Sequence, residues 1–147
     1  MIIPAQLHHL NDIIFIEKSA FNQPWTKNKF MNDIQSELDS ENWVYVINEF
    51  VAGYIFGWTI QGEFHLNNIA VHPGYLRKSI GKNLIQHIIA RVILRNIGVI
   101  LLEVSAENIP ARKCYQSLGF NQMGIRKDYY SKGDDAILYN LELNTDG

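Results

Sequence analysis

Small and cationic residues, Arg77, Lys78, Ser79, Gly81 and Lys82, fall where an apolar run gives way to a helical pattern. Ile69, Ala70 and Val71 form the end of that run, which stops at Pro73-Gly74, and helical periodicity begins around Ile80. A helix start carries backbone N–H groups without intrahelical partners and the positive end of the helix dipole, so it attracts phosphate oxygens. Residues 77–82 are therefore a candidate diphosphate cradle.

A second segment, residues 101–120, joins a strand to a short helix. The β-rich run ends near Ser105, Asn108 is suited to cap a helix, Pro110 occupies the first turn where its missing N–H costs little, and Gly119 is placed to end it. Glu103 on the strand and Tyr115 on the helix can both exchange protons. By residue type alone, Glu103 reads as a strand carboxylate paired with a nearby Lys or Arg, and Tyr115 as a core tyrosine with a satisfied hydroxyl. Cys114 would be a nucleophile if a base activated it. Adjacent helical residues point about 100° apart, so Cys114 and Tyr115 cannot aim at one centre, and Cys114 is read as a buried structural thiol. His8, His9, His65, His72 and His87 show no metal-ligand spacing, so no metal is expected.

These groups need a scaffold. A short strand over residues 1–3 leads at Pro4 into a helix carrying Leu7, Leu10, Ile13, Ile14 and Phe21, and Thr26 caps a second helix. Strands over 43–47 and 51–60 form a hairpin about Asn48-Glu49-Phe50, and Gln61-Gly62 is the next break. A strand over 64–71, a helix over 80–96 closed by Gly98, a strand over 99–104 and a helix over 109–118 follow. Strands over 120–127 and 136–143 flank Ser131-Lys132-Gly133. Strands before and after a central β-α-β unit predict a mixed sheet with helices on its faces.

With 147 residues, 47% of them hydrophobic, the chain is long enough for one core and too short for two ordinary domains. A net charge of −2 without a Lys/Arg block argues against general nucleic-acid binding. One cysteine fits a reducing compartment. The expectation is a soluble cytoplasmic protein with no signal peptide before residue 20 and no apolar run near the roughly 20 residues of a membrane span.

The window Leu76-Arg77-Lys78-Ser79-Ile80-Gly81 resembles the acetyl-coenzyme A signature of the GNAT acetyltransferases, [Q/R]-x-x-G-x-[G/A] after a strand. Leu76 and Ser79 depart from it, and Gly81 matches. LEVSAEN, Ala111 and YQSLGF resemble the L-E-V-R-x-x-N-x-x-A-x-x-L-Y-x-x-x-G-F block of the bacterial ribosomal-protein alanine N-acetyltransferases, the RimI type. FNQPWT resembles that group's segment between its first two helices, and IRKDYYSKGDDAILYNLEL resembles its ending.

The resemblance covers nearly the whole chain. It implies one α/β GNAT domain over residues 1–147, with a mixed, mostly antiparallel twisted sheet flanked by helices and a central parallel strand pair splayed to admit acetyl-coenzyme A. It implies that Glu103 is the base and Tyr115 the acid of direct acetyl transfer to an α-amine. Ile69, Ala70, Val71, Asn108 and residues 77–82 would hold the cosubstrate, with Ile69 and Val71 offering backbone groups to pantetheine amides. Trp25 and Tyr130, from Pro24-Trp25 and Tyr129-Tyr130, would wall the acceptor peptide, although Trp25 also suits a hydrophobic staple. Tyr129 and Tyr130 should face opposite ways if they continue a strand. The implied acceptor is the N-terminal alanine of a small-subunit ribosomal protein. A small amine is the alternative substrate, and a non-catalytic acyl-coenzyme A-binding module the alternative class.

Overall fold

Turn residues select the strand pairings. In the computed structural model, which describes residues 1–36 and 39–143, β1 (Ile2–Pro4) pairs antiparallel with β2 (Ser40–Ile47). Asn48 and Glu49, both at positive φ (49° and 71°), turn β2 into β3 (Phe50–Ile60). Gln61 and Gly62, at 51° and 81°, turn β3 into β4 (Glu63–Val71). Positive φ at both central residues matches the right-handed twist of a hairpin.

Helices α1 (Leu10–Ala20) and α2 (Lys27–Gln35) follow β1; α3 (Ile80–Leu94) connects β4 to β5 (Val99–Ser105), and α4 (Ile109–Ser117) precedes β6 (Asn121–Ser131) and β7 (Asp134–Glu142). The seven strands form one sheet in the order β1-β2-β3-β4-β5-β7-β6, antiparallel except for β4 beside β5. This is the expected mixed sheet.

Two cores form because both faces are covered. Leu10, Ile13 and Ile16 of α1 and Phe30 of α2 pack with Val44, Val51, Tyr54, Phe56 and Ala70. Ile80, Leu84, Ile85, Ile88 and Val92 of α3 pack with Ile55, Phe64, Leu66, Ile100, Leu102 and Tyr115 in the larger cluster. β3 is buried continuously from Val51 to Gly57 because helices lie over both of its sides, which removes the polar alternation of a one-sided strand.

Helix boundaries depart from the expectation in two places. Pro4 is still strand, paired with Trp43, and a single 3-10 turn at Leu7–His9 precedes α1, so the first helix begins later than predicted. α3 ends before Gly98. Asn96, at φ 57°, donates its N–H to Ile93 (3.0 Å), and Ile97 donates to Val92 (3.2 Å), the pair of bonds that closes a Schellman motif. At the end of α4, Gly119 (φ 97°) does the predicted job, with bonds from Gly119 to Gln116 and from Phe120 to Tyr115.

The feature that positions the site is an irregularity in β4. Opposite β3, the register runs Phe56↔Asn68 and then Gly57↔Leu66, which leaves Asn67 as an extra residue. A bulge bends its strand and raises its twist. It also inverts side-chain parity: Phe64 and Leu66 belong to the α3 core before it, whereas Ala70 belongs to the α1 core after it. A Cβ on Gly57 would lie 2.4 Å from the Phe64 ring and 2.7 Å from the His65 carbonyl oxygen, so only glycine admits this close approach.

Candidate active site

The cleft begins where the bulge ends the parallel pairing. β4 and β5 pair at Phe64↔Ile100, His65↔Leu101 and Leu66↔Leu102 and no further, although β4 continues to Val71 and β5 to Ser105. Each strand keeps its outer partner there, β3 for β4 and β7 for β5. The His72 N–H donates to Ala52 O at 2.8 Å, so the alternation of a strand turns the backbone of Ala70 toward β3 and that of Ile69 and Val71 into the cleft. Across from them, Ala106 donates to Asp135 at 2.8 Å, which by the same alternation leaves Glu103 and Ser105 facing the cleft. Ala70 therefore adds a side chain to the α1 core, and its backbone does not line the cleft.

At the cleft mouth α3 starts abruptly. Arg77 (φ 64°) and Ser79 (φ 59°) both adopt left-handed conformations, and Ser79 is the N-cap of α3 without a side-chain cap bond. The first-turn N–H groups at Ile80, Gly81 and Lys82 thus point outward without i−4 acceptors. Ile80 itself is core, 2 % exposed, so only its backbone is available. Gly81 has negative φ, and a Cβ there would sit 3.7 Å from Val71, an ordinary contact. The fold does not require glycine at this position. A ligand approaching the backbone would.

Glu103 and Tyr115 lie on opposite faces of the sheet. Leu102 and Val104 point into the α3 core, so Glu103 points away from it, partly exposed and 3.4 Å from the Arg126 guanidinium. Tyr115 is buried, in ring contact with Phe120 and Tyr139. Burial, and then the neighbouring Cys114 and Tyr130, raise its phenol well above the usual value, so it stays protonated at neutral pH. Tyr130 is pushed up to about 12 by burial and by the negative charge of Glu103. Burial also raises the Cys114 thiol, partly opposed by Lys82, which keeps it unreactive as a nucleophile and marks the closeness of α4 to the start of α3.

A model of the acetyltransferase (GNAT) family matches residues 7–120. The chain belongs to the GNAT acetyltransferase family. It is similar to the [ribosomal protein bS18]-alanine N-acetyltransferase of Escherichia coli K12, with 34% identity over 97% of this chain and 92% of that protein. The [ribosomal protein bS18]-alanine N-acetyltransferase of Haemophilus ducreyi shares 32% identity over 86% of each chain. The crystal structure of the ribosomal-protein-S18-alanine N-acetyltransferase from Escherichia coli superposes with a TM-score of 0.90 at 31% identity, over 100% of this chain and 96% of that one. The protein is an N-acetyltransferase of the GNAT fold, with the splayed parallel pair that the sequence resemblance implied.

One expectation for this GNAT site changes in three dimensions. Tyr129 and Tyr130 do not alternate, because the β6 register slips between Arg126 and Ser131 and Asp128 takes φ 53°; their rings meet edge-on at 5.1 Å. Asp128 secures that irregular stretch by donating its N–H to Asp135 (2.9 Å) and accepting from Gly133 N (2.7 Å). Trp25 precedes the Thr26 cap, which accepts from Lys29 N at 3.2 Å, and its ring lies 5.1 Å from Phe30, forming the staple. Asn108 is the N-cap of α4, accepting from Ala111 N at 3.3 Å while remaining exposed.

Sequence reasoning missed a buried carboxylate. Glu17, 1 % exposed, accepts hydrogen bonds from the Tyr54 hydroxyl, Asn68 Nδ2 (2.8 Å) and the Trp25 N–H (2.8 Å). Its signal was available: Glu17 shares the helix stripe of Leu10 and Ile13, at i+7 and i+4, where an apolar residue is the rule. Two surface cavities lie elsewhere, one of about 190 Å3 beside Phe15 and His72 and one of about 320 Å3 beside Trp43 and Arg91. The cleft is defined by strand divergence, and neither cavity touches Glu103, Tyr115 or the start of α3. Among the described residues, no cluster of three or more His, Cys, Asp or Glu could hold a metal, and no helix is long and apolar enough to cross a membrane.

Proposed function

We propose that the enzyme transfers the acetyl group of acetyl-coenzyme A directly to the α-amine of a protein N-terminus, the N-terminal alanine of a small-subunit ribosomal protein. The observation that carries this reading is the opened β4–β5 cleft; the base candidate Glu103 lies on β5 and the acid candidate Tyr115 on α4, which follows it on the opposite face of the sheet. The pantetheine arm fits as an extra strand, its amides bonding the free backbone groups of Ile69 and Val71. The diphosphate fits the N–H groups of residues 77–82, and exposed Asn108 borders the arm from α4.

Acetyl transfer from a thioester needs positioning and two proton movements. A free α-amine has a pKa of about 7.7–8.0, so roughly a tenth is neutral at pH 7 and the base has little to remove. Glu103 takes that proton, directly or through water. The amine nitrogen attacks the thioester carbonyl, the C–S bond breaks, and Tyr115 protonates the departing thiolate. Burial raises the Tyr115 phenol, which keeps it protonated at neutral pH and also makes it a weaker acid, so the transfer depends on a close hydrogen bond to the thiolate. Trp25 and Tyr130 flank the acceptor peptide.

The Arg126–Glu103 contact favours a second role for Glu103, as a purely structural ion pair between β5 and β6. The acceptor reading is tested by incubating the protein with acetyl-coenzyme A, a panel of N-terminal peptides and small amines, and locating the acetyl group by mass spectrometry. Transfer to a peptide α-amine beginning with alanine supports the reading; transfer to lysine side chains or small amines alone overturns it, and binding without turnover supports a non-catalytic module.

A further inference from the structure

Glu17 sits outside the cleft and touches neither the base nor the acid candidate, yet its two oxygens face different parts of the site. Oε1 accepts from Tyr54 and from Asn68, the residue directly after the β4 bulge. Oε2 accepts from the backbone N–H of Trp25, in the connection between α1 and α2. A buried carboxylate has a high desolvation cost unless several donors meet it, and here three do. Burial and then Glu17 raise the Tyr54 phenol, which keeps that donor protonated.

We infer that Glu17 is a positioning residue for the acceptor, fixing the Trp25 segment relative to the point where β4 leaves β5. The inference rests on the proposed peptide wall at Trp25. Residues 22–24 of that connection are exposed, so the Trp25 N–H bond anchors its end to the sheet. Lys29, capped by Thr26, in turn lays its ammonium 4.8 Å from the Trp25 ring. One side chain thereby sets the distance between peptide wall and acetyl donor.

The test is Glu17→Asp, which keeps the charge but is one methylene too short to reach Trp25 N and the Tyr54–Asn68 pair together. On protein with native circular dichroism, the KM for the acceptor peptide should rise about tenfold or more, with kcat and the Kd for acetyl-coenzyme A close to wild type. Val92→Ala, which opens a void in the α3 core away from Glu17, serves as a control for lowered stability and should leave the peptide KM unchanged. Wild-type peptide KM in Glu17→Asp overturns the inference, as does an equal rise in Val92→Ala. Trp25→Ala separates the two readings: an unchanged peptide KM there overturns the peptide wall itself, whereas a raised KM there with wild-type behaviour in Glu17→Asp overturns only the role of Glu17.

Discussion

At the scale of single residues, the proposed roles divide into groups that would move protons and groups that would leave room. Tyr115→Phe removes only the hydroxyl, so kcat should fall about 10²–10⁴-fold with little change in acetyl-coenzyme A affinity; unchanged turnover in a stopped thiol-release assay excludes Tyr115 as the acid. Glu103→Gln should lose most activity at low pH and recover as the amine deprotonates unaided above about pH 8. A profile parallel to wild type from pH 6 to 9 would leave Glu103 with only its Arg126 ion pair. Ser79 and Gly81 call for opposite changes. Ser79 holds φ 59° at a cost of about 1–2 kcal/mol, partly offset by its stiffer unfolded state, so Ser79→Gly should raise Tm slightly and keep or tighten the acetyl-coenzyme A Kd. Gly81→Ala fits the folded chain at 3.7 Å from Val71, so any loss of affinity measured by calorimetry reports the space a phosphate needs. Equal affinities exclude this turn as the cradle.

At the scale of elements, the cleft depends on one extra residue in β4. The Asn67 bulge ends the parallel pairing at Leu66↔Leu102 and turns Ile69 and Val71 toward free space. Gly57 makes that bend possible by admitting Phe64 and the His65 carbonyl where a Cβ would stand. Gly57→Ala should therefore cost about 1–3 kcal/mol in urea unfolding and, by shifting β4, weaken acetyl-coenzyme A binding as well. A variant as stable as wild type would show that β4 can relax without the glycine. The β6 irregularity has the same character: Asp128 braces a register slip that places the Tyr129 and Tyr130 rings edge to edge.

For the whole molecule, one buried and one partly buried imidazole tie stability to pH. Burial and then the neighbouring His8 lower the pKa of His9 below the usual 6.5, and burial and then Arg91 lower His87 likewise. As pH falls through about 6.5, unfolded chains take up protons that the folded state refuses, so stability is full above that point and declines as pH approaches the folded values. Tm should be level from pH 7 to 8 and drop towards pH 5.5, and His9→Gln should flatten part of the slope. A Tm independent of pH across that range would mean these two histidines protonate as readily folded as unfolded.

Local chemistry was legible in the sequence itself. Thr26, Asn108 and Gly119 cap their helices as expected, because a cap depends on one side chain or one φ angle and the few residues around it. The alternation of apolar residues identified most strands, and the LEVSAEN and YQSLGF blocks pointed to the family. Gly98 misled because Asn96 also tolerates the left-handed conformation and lies nearer the last helical turn. Only tertiary structure decided that β4 and β5 part after three paired residues, that Ala70 turns its backbone away from the cleft, that Tyr129 and Tyr130 touch, and that Glu17 gathers donors from α1's neighbours. Each of these is set by the pairing register of neighbouring strands or by the burial of both sheet faces, and no local preference encodes it.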